Sequence, residues 1–316
     1  MEEFNVHQLC NTLREHRNLN QFVIYNFINV NLEAGTGIIH EIMKIKFYGV
    51  RGSLPVCGKE FLRYGGNTTC MRIHRETANR IVIIDAGTGI RNLGKELVAR
   101  NFRQELINIS FTHFHWDHIQ GFPFFAPAYN KNQRIGIHVM GKERRHKNLK
   151  EIFSAQMQSD FFPVGLDAMG AKFEFPHLDD KGTFYGANVI AAPQYHKFRG
   201  GSYGLRFEDD SKILVICTDL EHIDGIDESI VELAKDADLL IHDGQYTADE
   251  YKKYKGWGHS TWQQAVEAAT RANVKKLIIT HHDPDHDDDF LDGMEKECKE
   301  TFPDSLFAQE GMEVSV

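Results

Sequence analysis

Apolar residues along this chain fall in short blocks separated by polar or glycine-rich loops. From residue 43 onward the blocks Lys44–Val50, Arg80–Ile84, Leu106–Thr112, Ile135–Met140, Asn188–Ala192, Tyr203–Phe207, Lys212–Cys217, Asp238–Ile241 and Lys275–Thr280 are β-rich and predict strands. Between some of them the apolar positions recur at helical spacing. That spacing predicts helices over Ile90–Arg100, Leu149–Ser159, Glu228–Asp236, Thr261–Asn273 and Phe290–Thr301. Strands with helices interspersed throughout predict an α/β architecture, sheets covered by helices. No linker or low-complexity segment interrupts residues 43–316, which are expected to form one domain. Residues 1–42 differ. Val6, Leu9, Cys10 and Leu13 recur at helical spacing there, but no chemistry-bearing cluster occurs. Two readings of this extension stand open: a genuine N-terminal arm, or a start placed upstream of a functional Met43.

Charge and composition narrow the function. The 316 residues carry a net charge of −9, which argues against a stable nucleic-acid partner, since that needs a basic surface. A small phosphate ester remains open to such a chain, because metals supply positive charge locally. No apolar run approaches the roughly 20 residues of a membrane span. Five scattered cysteines form no Cys-x-x-Cys pair and read as reduced thiols. With an N-terminus unlike a signal peptide, the expected setting is cytoplasmic.

The candidate chemistry is concentrated between residues 110 and 118. Ser110-Phe111-Thr112-His113-Phe114-His115-Trp116-Asp117-His118 places three histidines and an aspartate within six residues, directly after an apolar run. His113 and His115, two apart, project to one side of an extended strand end. Asp117 and His118 lie on the turn beyond, so one loop can offer two ligands to each of two metals. Such a site needs further ligands from other strand ends, where loops are held rigidly. His196 after Val189–Ala192, Asp219 after Ile213–Thr218 and His281 after Leu277–Thr280 meet that requirement.

Taken in order, these residues resemble the metallo-β-lactamase fold superfamily in its binuclear phosphodiesterase branch. The likeness runs from about Met43 to the C-terminus and implies an αββα sandwich, two packed sheets with helices outside. It assigns His113, His115 and His196 to one metal, Asp117, His118 and His281 to the other, and Asp219 to the bridge between them. Ligation by nitrogen and oxygen without cysteine suits two Zn²⁺ per chain, with Mn²⁺ as the alternative. Gly49–Pro55, Arg63–Thr69 and Asp85-Ala86-Gly87-Thr88-Gly89 resemble a bacterial and phage subgroup containing cyclic-nucleotide phosphodiesterases and anti-Pycsar proteins. Asp85 and its glycines are read as shaping the tight loop beneath the metals.

The resemblance also implies catalytic groups. In tRNase Z and related phosphodiesterases an acidic residue orients a histidine that contacts the scissile phosphate. The matching positions here are Asp243 in His242-Asp243-Gly244 and His259 in Gly258-His259-Ser260-Thr261, which join Asp117 as the catalytic set. The expected reaction is hydrolysis of 3′,5′-cyclic nucleotides to nucleoside monophosphates by a metal-activated hydroxide. A phosphodiesterase for another small ester, a tRNase Z-like endoribonuclease and a metal-bound sensor without turnover are the alternatives. Bacterial tRNase Z carries a long RNA-gripping arm between the positions of His196 and Asp219. Those residues are only 23 apart here, which favours a compact substrate. Arg51, Asn67, Gly200 and Gly201 are candidates beside that substrate, and the branch implies a homodimer.

Overall fold

Side-chain alternation along the strands divides the apolar residues among three packed layers. The first sheet contains β1 (Met43–Gly49), β2 (Cys70–Arg75), β3 (Ile81–Ile84), β4 (Leu106–Phe111), β5 (Arg134–Val139) and β6 (Lys172–Glu174), with β14 (Glu313–Ser315) beside β1. The second runs from β7 (Lys181–Phe184) through β8 (Ala187–His196), β9 (Phe198–Asp209), β10 (Lys212–Cys217), β11 (Leu239–Asp243) and β12 (Lys276–Thr280) to β13 (Ser305–Phe307). Each sheet joins an antiparallel part to a parallel part. β3 to β6 run parallel in one, and β10 to β13 in the other. The structure is a computed structural model that describes residues 43–75, 81–102, 106–140, 149–176, 180–184, 187–209 and 212–316. The N-terminal extension therefore lies outside the described residues, as does Arg80.

The run Ile81-Val82-Ile83-Ile84 shows how one strand serves two layers. Val82 and Ile84 point into the inter-sheet core with Ile45, Phe47, Leu205, Leu214, Ile216 and Ile241. Ile81 and Ile83 point outward, beneath α1 (Ile90–Ala99). A short helical turn, α2 (Trp116–Ile119), and α3 (Leu149–Gln156) follow on the same side of the chain's packing. On the second sheet Val215, Cys217, Leu240, Leu277 and Ile279 pack outward against α4 (Glu228–Ala234), α6 (Trp262–Arg271) and α7 (Asp288–Thr301). α5 (Ala248–Tyr254) buries no residue. Strands buried on both faces read as unbroken apolar runs, which is why the sequence exposed them so clearly. The arrangement is the expected αββα sandwich.

Some elements escaped the sequence pattern. β2 interleaves Arg72 and His74 with its apolar residues, and β6, β7, β13 and β14 are edge or near-edge strands of three or four residues. β9 continues through Gly200-Gly201. The turn is at Lys197, with φ +65, and His196 pairs directly with Phe198. No helix among the described residues is long and apolar enough to cross a membrane.

Candidate metal centre

Strand exits bring the predicted ligands together. β4 leads into His113 and His115, and α2 presents Asp117 and His118 one turn later. β8 ends on His196, while Asp219 and His281 follow β10 and β12. Asp85, Asp219 and His281 all adopt left-handed backbone, with φ +59, +56 and +63. For non-glycine residues that conformation costs of order 1–3 kcal/mol, and such strain gathers where side chains must be aimed.

Two groups of ligand-type atoms result, each with its members within 4.8 Å of one another: His113, His115 and His196, and Asp117, His118, Asp219 and His281. Asp219 stands between them. Its Oδ1 lies 3.5 Å from His113 Nε2 and 3.2 Å from His281 Nε2, and its Oδ2 lies 3.1 Å from His118 Nε2. Asp117 Oδ2 is 3.2 Å from both His118 Nε2 and His281 Nε2, and it accepts a bond from the Ser53 N–H. His115 alone of the seven is exposed, which puts the mouth of the site on its side.

Outer hydrogen bonds fix the histidine tautomers. Nδ1 of His118 donates to Asp85 Oδ2 at 2.8 Å, that of His281 to Gln245 Oε1 at 3.1 Å, and that of His196 to the Gly258 carbonyl at 2.7 Å. Thr112 Oγ1 donates to Asp85 Oδ2 and accepts from His113 Nδ1. With Nδ1 carrying the proton, Nε2 of each ring turns its lone pair inward. His113 Nε2 and His118 Nε2 are buried there without a hydrogen-bond partner. Orphaned nitrogens beside buried carboxylates fit a cation, so the donor set suits the metal ions that the fold implies.

Electrostatics point the same way. Burial would raise the carboxyls of Asp117 and Asp219, but the neighbouring His118 charge outweighs it and holds both well below the usual range. Burial would lower His118 and His281, yet Asp219 and Asp117 raise both, His281 to about 10. His113 and His196 go down, His196 to about 4, because burial dominates at each. The two carboxylates thus demand positive charge on the His118–His281 side.

His259 and Asp243 meet beside these groups. His259 Nδ1 donates to Asp243 Oδ2 at 2.8 Å, and its ring stacks on His281 with centroids 4.8 Å apart. One His259 nitrogen lies within 4.8 Å of ligand atoms of His196 and Asp219. Asp243 also accepts from the N–H groups of Asp219, Gln245 and Ser260. Thr261 caps α6 in a capping box with Gln264, so the helix start fixes the His259 backbone.

All four substrate candidates have structural roles. Arg51 is fully buried, and its guanidinium donates to the carbonyls of Gly65, Asp283 and His286. Asn67 donates from both main chain and side chain to Glu310. Gly201 packs on the His196 carbonyl, where a Cβ would stand 2.0 Å from the oxygen. Gly200 is its neighbour in β9, not part of a turn. These polar groups and glycines hold loops together. Asp85, expected only to shape a loop, and Gln245, which no motif singles out, have a further role. Both bond directly to a candidate ligand, and their position at strand ends was the available signal.

A αββα sandwich with a histidine- and aspartate-lined centre at its strand exits defines the metallo-β-lactamase fold. The Beta-lactamase superfamily domain matches residues 80–282, and the chain belongs to that family as a hydrolase. Ribonuclease Z from Haloarcula marismortui is 23% identical over 282 residues, covering 76% of this chain and 86% of the relative. The metallo-β-lactamase fold protein YhfI from Bacillus subtilis superposes with a TM-score of 0.63 at 19% identity, over 87% of this chain and 100% of YhfI. Yeast PDE1 superposes with a TM-score of 0.62 at 13% identity, over 87% of this chain and 100% of PDE1. At these identities the structural likeness is one of fold.

Proposed function

We propose that this chain is a two-metal phosphodiesterase that opens 3′,5′-cyclic nucleotides to nucleoside monophosphates. His113, His115 and His196 would hold one divalent cation and Asp117, His118 and His281 the other, with Asp219 shared; zinc suits this set, manganese being the alternative. When bound, such a pair supplies an acidified water and positive charge beside the phosphoryl oxygens. Asp117 is placed to accept the proton that the attacking water gives up. His259, held through Nδ1 by Asp243, keeps Nε2 for the substrate and protonates the leaving 3′-oxygen as its bond to phosphorus breaks.

The observation that favours a compact substrate is the stretch between His196 and Asp219. Lys197 turns the chain, β9 runs from Phe198 to Asp209, and β10 pairs back on it from Lys212↔Asp209 onward. The interval is consumed by sheet, with no room for an arm that would grip a folded RNA. The net charge of −9 agrees. A nuclease is the second reading, favoured by relatives named Ribonuclease Z. The test is to incubate zinc- or manganese-loaded protein with cAMP, cGMP, cCMP, cUMP, cyclic dinucleotides and precursor tRNA. Opening of the cyclic mononucleotides is expected. Efficient cleavage of precursor tRNA with the cyclic nucleotides left intact would reverse the order of the two readings.

A further inference from the structure

Glu221 lies two residues past Asp219, is 1% exposed, and belongs to none of the ligand groups described above. Its carboxylate is nevertheless fully engaged. Oε1 accepts from Tyr251 Oη at 2.9 Å and from Gly256 N at 2.6 Å, and Oε2 accepts from Gly258 N at 2.8 Å. Its own N–H donates to the carbonyl of Tyr195, the residue before His196. Gly256 and Gly258 have φ +91 and +97, a backbone that only glycine enters freely, and it turns both N–H groups onto one carboxylate.

Gly258 makes the connection to the site. Its N–H is held by Glu221, its carbonyl accepts from His196 Nδ1 at 2.7 Å, and the next residue is His259. A Cβ at Gly258 would stand 2.4 Å from His196 Nδ1, so the loop lies directly on that ring. Closing a loop does not require a buried carboxylate, which is costly to desolvate. Charge-assisted bonds are about twice as strong as neutral ones and hold geometry more tightly.

We infer that Glu221 is a positioning residue for the phosphodiester reaction: through Gly256 and Gly258 it fixes the loop that aims His259 and sets the tautomer of His196. The inference rests on the reading that His259 meets the substrate. Glu221→Gln tests it at constant size. An amide has one oxygen, so in either orientation the NH₂ group faces a glycine N–H and one of the two loop bonds is lost. Tyr251→Phe removes a bond to the same carboxylate but leaves both glycine contacts. Gly256→Ala strains the loop without a clash, since no atom lies within 4 Å of its Cβ position.

With 3′,5′-cAMP, whose leaving 3′-oxygen needs a proton, at saturating zinc, Glu221→Gln should lower kcat about 10- to 100-fold, the usual cost of losing an outer support. KM and zinc content should stay within roughly twofold of wild type, which marks a loss confined to the transition state. Gly256→Ala should lower kcat severalfold, and Tyr251→Phe should match wild type. Wild-type kcat in Glu221→Gln overturns the inference, as does a loss that follows zinc content or is equalled by Tyr251→Phe. Should Glu221→Gln fail to fold, wild-type kcat in Gly256→Ala overturns it. His259→Ala in the same assay separates the two ideas. Wild-type turnover there, or none by the wild-type protein, defeats the reading of the site itself, and a slow His259→Ala beside an unimpaired Glu221→Gln defeats this inference alone.

Discussion

Asp85→Asn isolates the contribution of the bonds behind the centre, because it changes charge and donor pattern with little change of shape. Asp85 is fully buried and accepts three bonds: Oδ1 from the Thr112 N–H at 2.8 Å, Oδ2 from Thr112 Oγ1 at 2.8 Å and from His118 Nδ1 at 2.8 Å. An amide can take two orientations there. With its oxygen toward Thr112 Oγ1 and His118, its NH₂ faces the Thr112 N–H, and a buried donor left without an acceptor costs about 1–3 kcal/mol. With its NH₂ toward His118, that ring must move its proton to Nε2, the nitrogen facing Asp219, and Nε2 can then no longer ligate. Metal affinity should therefore fall about 10- to 100-fold, or about 1.4–2.7 kcal/mol. Zinc competition against a chromogenic chelator measures this, and the melting temperature of the metal-free variant reports the stranded Thr112 N–H. A zinc Kd within about twofold of wild type, with unchanged melting, would refute the assignment of Asp85 as the orienter of His118.

Other outcomes test the centre and the fold separately. Asp219→Ala should abolish phosphodiesterase activity and reduce bound metal below the two ions per chain expected of the wild-type protein, as read by elemental analysis. His259→Ala should keep its metals and lose on the order of 10²–10⁴ in turnover, the range for a lost general acid. Burial lowers His222 to about 3 and His138 to about 4, from 6.5. The unfolded chain therefore takes up protons before the folded one. The stability held by these rings is complete above about pH 6.5 and is lost as pH falls toward 4 and 3. Melting of metal-free protein across that range should show the decline, and His222→Gln should flatten it. A chain starting at Met43 should fold and hold its metals, since every candidate ligand lies beyond that residue; an insoluble or metal-free product would make residues 1–42 integral.

The local part of the centre was written plainly in the sequence. His113, His115, Asp117 and His118 lie within six residues, so one strand end and one helical turn suffice to aim them. The central strands were equally legible, because burial on both faces leaves unbroken runs such as Ile81–Ile84. His196, Asp219 and His281 were found as polar residues after such runs, but the pairing of β8 through β12 gathers them in one sheet, and only the packing of that sheet on the first brings their side chains within reach of the first cluster. Partner choice was not legible at all. Arg51 and Asn67 were candidates beside the substrate, yet one meets carbonyls up to 235 residues away and the other a glutamate 243 residues away. Asp85, Gln245 and Glu221 gained their roles the same way, through contacts 33, 36 and 37 residues distant. Periodicity and strand ends follow from neighbours along the chain. Which acceptor a buried donor finds is settled only when the sheets close, because every buried polar group must then be paired with whatever the tertiary fold has set beside it.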